Sequence, residues 1–137
     1  MTLKQIYDYL EGLALQVPDI RSIVENDVTR INEMREVKYG VFAIQQSVHN
    51  SEQGWMNFSL VLFVIDRLVN SGENEVQVQS HSLEVLRAIL EKAKEELEID
   101  TPRYTTFTER FQDLCAGAWA EVVIHTPVSD CNQIFNS

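Results

Sequence analysis

The chain has 137 residues, 45% apolar and 23% charged, which suits one domain around one hydrophobic core and excludes the polar, highly charged profile of a disordered chain. Its formal charge of −10, from 21 acidic against 11 basic residues, argues against binding along a phosphate backbone, which requires clustered Lys and Arg. No apolar run approaches the roughly 20 residues of a membrane helix, so no membrane span is expected.

The opening MTLKQIYDYLEGL has no apolar stretch leading to a small-residue cleavage site, so no secretion signal is expected. Within it, Leu3, Ile6, Tyr7, Leu10, Leu13, Ala14 and Val17 recur at helical spacing, and Thr2 with Gln5 supplies a capping box. A helix is predicted over 3–16, stopped by Val17-Pro18-Asp19. Residues 20–36 have no clean period and read as a short strand or turn followed by a loop. From Val37 an alternation sets in, with Gly40, Phe42, Ile44, Gln46 and Val48 against Tyr39, Val41, Ala43, Gln45 and Ser47, predicting a strand of about 12 residues. The polar stretch 49–54 ends in glycine and leads into a run from Trp55 to Leu68 rich in aromatic and β-branched residues, completing a β-hairpin.

After a loop at 70–74, Leu83, Leu86, Ile89, Leu90, Ala93 and Leu97 predict a second helix over 78–97, whose Lys and Glu residues form a solvated face. Thr101-Pro102 closes it. Tyr104 to Phe111 reads as a strand, Asp113 to Gly117 as a turn, and Ala118 to Thr126 as a returning strand that ends at Pro127. The fold class is therefore α+β, an antiparallel sheet of two β-hairpins packed against two helices. Residues 1–127 form the domain and 128–137 a polar tail.

Two features point to association. The strands of the first hairpin exceed the usual length of about 5–6 residues, so the hairpin is expected to project from the body or to span a subunit boundary. Its second strand is apolar on both faces, with Phe58, Leu60, Leu62 and Val64 against Val61, Phe63 and Ile65. Two helices cover one face of a sheet, which leaves the other to the chain's own loops or to another subunit. Trp55, beside the hairpin tip, is a natural interface anchor. Candidate interface residues are Trp55, Met56, Phe58, Val61 and Phe63, together with Ile134 and Phe135 of the tail.

Chemistry is sparse. There is no phosphate loop, GxSxG, HExxH or calcium-loop pattern, and His49, His81 and His125 lack partners at metal-ligand spacing. Cys115 and Cys131 are too few and too far apart for a disulfide framework or zinc site, so reduced thiols are the default. Cys115 could meet His125 across the second hairpin as a thiol and base, but packing at the turn is the simpler reading; Glu109 could lie opposite Glu121, which an exposed acidic rim explains equally well. No catalytic residue, metal or cofactor is assigned, and the chain is not expected to be an enzyme.

The order helix, long hairpin, helix, second hairpin resembles the tail terminator or tail completion family of bacteriophages. The closing stretch FQDLCAGAWAEVVI, residues 111–124, followed by a lone Cys131, looks like the C-terminal hairpin of small phage structural proteins. The resemblance covers most of the chain in element order and carries one motif. It implies a tail-terminator-like fold and a homo-oligomeric ring of six or twelve copies, made in the host cytoplasm. In the virion the ring would stack with neighbouring neck or tail proteins. It would surround DNA without sequence-specific binding; the acidity of the chain reads first as simple solubility and second as a lining that lets the duplex slide. Deleting 128–137 is expected to weaken assembly, read by light scattering, while leaving the thermal melt unchanged; a truncated chain that assembles normally would refute this. Rival readings are a small cytoplasmic ligand-binding or regulatory α+β domain, which should present a pocket with convergent polar groups, and an enzyme subunit completed by partner residues.

Overall fold

The computed structural model describes residues 1–34, 37–69, 72–111 and 113–128. Helix α1 spans Leu3–Leu15, one residue short of the sequence reading, and opens with the predicted capping box: Gln5 N donates to Thr2 Oγ1 at 3.2 Å, and Thr2 N to Gln5 Oε1 at 2.8 Å. Its apolar stripe, Ile6, Tyr7, Leu10, Leu13 and Ala14, is buried. Helix α2 spans Glu75–Ala93, shifted towards the N-terminus of the predicted range, and buries Ser82, Val85, Leu86, Ile89, Leu90 and Ala93.

Seven strands form one mostly antiparallel sheet: β1 Ser22–Glu25, β2 Val41–Gln46, β3 Asn50–Glu52, β4 Trp55–Arg67, β5 Glu98–Ile99, β6 Arg103–Arg110 and β7 Leu114–Pro127. The order is β1-β2-β4-β7, with β3 continuing the line of β2 beside β4, and β5 and β6 sharing the far side of β7. Beyond the two predicted hairpins the sheet includes β5 and also β1, which runs parallel to β2. A 3-10 helix over Val28–Glu33 fills most of the stretch expected to be a loop, its start fixed by Asp27, whose Oδ1 accepts from Thr29 N at 2.9 Å.

The expected 12-residue strand from Val37 is divided and displaced. Its first residues serve β1 instead, since the Gly40 carbonyl accepts from Arg21 N and Ser22 N at 2.9 and 3.3 Å. At the other end, pairing passes from Gln46↔Leu60 to Asn50↔Asn57, so residues 47–49 oppose only residues 58 and 59, which is a β-bulge. His49 holds it: its Nδ1 accepts from Ser59 N at 3.1 Å, leaving Nε2 to donate to Gln46 Oε1 at 3.0 Å. The hairpin then closes through Gln53 and Gly54 alone. Both have positive φ, 41° and 88°, as a two-residue turn matching strand twist requires.

The projecting hairpin is not found. β4 pairs with β7 along its whole length, from Trp55↔Pro127 to Arg67↔Cys115, because β7 has 14 residues rather than the predicted nine. The supposed turn at 113–117 is largely strand, and Gly117 lies inside it.

Each face of β4 is covered within the chain. Phe58, Leu60, Leu62 and Val64 pack with α1, α2 and the alanines of β7 in the main core. Phe63 and Ile65 join Val24, Ile31, Val41, Ala43 and Cys115 in a second core, roofed by Val28, Met34, Val37 and Tyr39. Val24, Val28, Ile31 and Met34 from the unperiodic 20–36 stretch, with Val37 and Tyr39, thus cover the second face, and Ile31 in its 3-10 helix is fully buried.

One strained pair marks the seam between α1 and β1. Glu11 Oε2 is buried without a hydrogen-bond partner among the described residues, with Glu25 beside it. Burial, then the adjacent Glu25 side chain and its charge, push the Glu11 carboxyl up to about 7. Two carboxylates meet favourably only with a proton between them. A folded pKa above the unfolded 4.5 means this contribution is fully present below pH 4.5 and lost as pH rises through about 7. Glu11→Gln is therefore expected to match the parent at pH 4.5 and to exceed it at pH 8 by about 1 kcal/mol after solvent screening, read by urea titration at both pH values. Equal stability at pH 8 would remove the argument.

Candidate subunit interface

Alternation along β4 separates the sequence-predicted interface residues. Met56 and Phe58 point to the helices, where Phe58 is 7% exposed and Met56 half-buried. Phe63 lies on the opposite face and is also buried, its ring 6.2 Å from that of Phe107 and 5.8 Å from that of Trp119. Val61 sits half-buried at the edge of this cluster, and Trp55 is 42% exposed at the hairpin tip. Phe58 and Phe63 are therefore spent on the chain's own cores, while Trp55 and Val61 stay partly open. Ile134, Phe135 and Cys131 lie outside the described residues.

The more continuous candidate surface is the outer edge of β6, which the sequence reading made the first strand of the second hairpin. Seven of its eight residues are exposed, including Tyr104 at 38%, and only Phe107 is half-buried. Its backbone orientation follows from β7. The Leu114 carbonyl accepts from Leu68 N on the β4 side, and the Val123 carbonyl accepts from Asp100 N on the opposite side. Successive residues alternate, so even-numbered β7 residues address β4 and odd-numbered ones address β5 and β6. With Thr105↔Trp119 and Phe107↔Gly117 in register, Thr105 and Phe107 bond to β7, whereas Tyr104, Thr106 and Thr108 turn their N–H and C=O groups outward. Gln79 of α2 clamps the strand from the helix side, its Nε2 donating to Phe107 O and Thr108 Oγ1 at 3.3 Å each. Beside this edge, Phe107 and Trp119 stack at 5.4 Å, half-exposed on the face away from the helices.

A polar network ties the tip where Trp55 stands. His125 Nε2 is 2.9 Å from Asp100 Oδ1, and its Nδ1 meets Asn57 Oδ1. Asn57 Nδ2 in turn donates to Asn50 Oδ1 at 2.6 Å. Trp55 thus rests on a braced platform built from β3, β4, β5 and β7.

The thiol and base considered from sequence are not brought together. Cys115 and His125 stand ten positions apart along β7, roughly 33 Å, and pair with opposite ends of β4. Cys115 is fully buried, and burial pushes its thiol up to about 11, so it is a packing residue. Tyr39 beside it donates to Asp113 Oδ2 at 3.0 Å, and burial first, then Cys115 and Asp113, raise its phenol. Glu109 and Glu121 do not face each other either: Glu109 is opposite Cys115 and Glu121 opposite Arg103. Among the described residues no cluster of His, Cys, Asp or Glu could hold a metal, and no helix is long and apolar enough to cross a membrane. No protein-family model and no curated protein matches the sequence.

Proposed function

We propose that the chain is a virion structural protein, a ring-forming subunit of a phage head-tail neck or tail with a tail-terminator-like fold. The observation that carries this reading is the eight-residue outer edge of β6, exposed and with three residues' backbone groups turned outward. A free edge of that length is a template for strand addition, and soluble proteins usually blunt or cover such edges. A head-to-tail contact that closes by rotation makes a ring, of six or twelve copies in this reading. The half-exposed Phe107 and Trp119 supply apolar anchors beside the contact. The charge of −10 suits a subunit around a DNA channel that does not grip the duplex. Burial of both β4 faces within the chain removes one sequence argument for assembly, and the 3-10 helix over Val28–Glu33 counts against the resemblance, which leaves that stretch without helix.

Light scattering across a range of protein concentrations, followed by electron microscopy of any large species, tests the proposal. Closed rings support it. A chain that stays monomeric alone and in the presence of phage neck or tail rings refutes it. A second reading, a ligand-binding domain, is favoured by a cavity of about 160 Å³ between α2 and the sheet, although ligand pockets typically run from roughly 300 to 1,000 Å³.

A further inference from the structure

The cavity of about 160 Å³ lies where the first half of α2 crosses β4. Its apolar walls are Ile20, Val64, Ile65 and Val85, buried parts of the two cores, with Val78 half-buried, and Asn74, Gln77 and His81 also line it. Two carboxylates join them. Asp66, half-buried, shares the helix-facing parity of Leu62 and Val64 on β4, and Asp19 stands at the mouth with its Oδ2 2.7 Å from His81 Nε2. Ser82, 1% exposed, lines the same space with no hydrogen-bond partner among the described residues. A buried hydroxyl left without a partner costs stability unless something occupies the space before it.

The charge around the cavity is unbalanced. Among the described residues neither Asp19 nor Asp66 forms an ion pair with a Lys or Arg. The Arg67 guanidinium is placed over the Tyr39 ring, 5.9 Å from its centroid. Asp66 Oδ1 accepts from Arg67 N at 2.8 Å, which leaves its second carboxylate oxygen available. An apolar channel with two carboxylates beside it fits a cation carried on a hydrocarbon stem, which desolvates its methylenes against the valines and places its N–H donors among oxygens.

We propose that this cavity is a binding site for a primary ammonium group on a short unbranched alkyl chain. The size agrees, since a cavity of roughly 150 Å³ holds a molecule as large as benzene, and four methylenes with an ammonium have one heavy atom fewer. The valine walls take the methylenes. Asp66, Asp19 and the Ser82 hydroxyl receive the three N–H donors. An anion would meet two carboxylates. The proposal stands independently of the ring reading, because it concerns the isolated chain.

The test uses n-butylammonium chloride, followed through the methyl signals of Ile20, Val64, Val78 and Val85 by nuclear magnetic resonance, with n-butanol as the neutral analogue of the same shape. Saturable shifts of these methyls are expected, with at least tenfold weaker binding of n-butanol and roughly tenfold weaker binding of n-butylammonium to Asp66→Asn. Asp66 is at the surface end of β4, so this variant should keep the parent melting temperature. Equal binding of alcohol and amine, unsaturable shifts, or an unchanged affinity in Asp66→Asn would overturn the proposal. Nα-acetyl-lysine methylamide separates the sources: affinity within threefold of butylammonium identifies a lysine side chain of another protein chain as the ammonium donor, and tenfold or weaker affinity identifies a free amine.

Discussion

Replacing Gly117 by alanine is expected to cost the fold about 4 kcal/mol, at the upper end of single substitutions, and to lower the melting temperature by more than 10 °C. Gly117 lies within β7, opposite Ile65 on β4 and Phe107 on β6. A Cβ added there would overlap the Val64 carbonyl oxygen and crowd the Val64 carbonyl carbon and the Ile65 Cα, at 3.0 and 3.1 Å. All three obstacles are backbone, so no side-chain rotation relieves them. The only escape is to part β4 from β7, and that pairing spans 13 residue pairs at the centre of the sheet. Gly12 is the internal control, because a Cβ there meets nothing within 4 Å. Gly12→Ala in α1 should gain roughly 1 kcal/mol from helix propensity. Chemical denaturation of the two variants measures both numbers; a Gly117→Ala protein within 1 kcal/mol of the parent would show that β4 and β7 are not as closely apposed as described.

The second large effect concerns assembly and follows from the alternation on β6. Thr106→Pro removes an N–H that faces outward, so the ladder to β7 keeps its bonds and the isolated domain should lose about 1 kcal/mol or less. Thr105→Pro removes an N–H that bonds to Trp119 and should cost the domain about 2–3 kcal/mol. If copies associate by adding strands at this edge, Thr106→Pro abolishes the large species in light scattering while the melt barely moves. Rings that survive Thr106→Pro would move the contact elsewhere, and the exposed Trp55 tip would then be the surface to examine. Similar melts for the two proline variants would overturn the backbone orientation itself.

The contrast between these positions shows where local pattern is informative. The Thr2 and Gln5 capping box and the apolar stripe of α1 depend on spacings of three and four residues, and they stand where the sequence placed them. The alternation of β4 is equally local, and it assigned Phe58, Leu60, Leu62 and Val64 to one face and Val61, Phe63 and Ile65 to the other correctly. Gly117 misled because glycine beside Asp113 reads as a turn, whereas its role is close backbone approach by a strand 50 residues away. The candidate interface was only partly legible for the same reason. Trp55 could be picked by its place beside a turn, but the exposed edge of β6 arises because β5 and β6 are the last strands on their side of β7. Nothing in RYTTFTER distinguishes an edge strand from an inner one. The cavity against α2 was invisible in the sequence, since Asp19, Asp66 and Ser82 belong to three separate elements.

By itself the sequence determined that this protein is an acidic α+β domain with two amphipathic helices and long two-faced strands, because composition and residue periodicity are properties of neighbours along the chain. Tertiary structure alone decided that Val24, Val28, Ile31, Met34, Val37 and Tyr39 roof the second face of β4, that β6 presents a free edge, and that two carboxylates and a buried hydroxyl meet around one cavity. Those outcomes depend on which strand lies beside which, and strand order is set by the packing of distant segments against shared cores, a relation that no local pattern encodes.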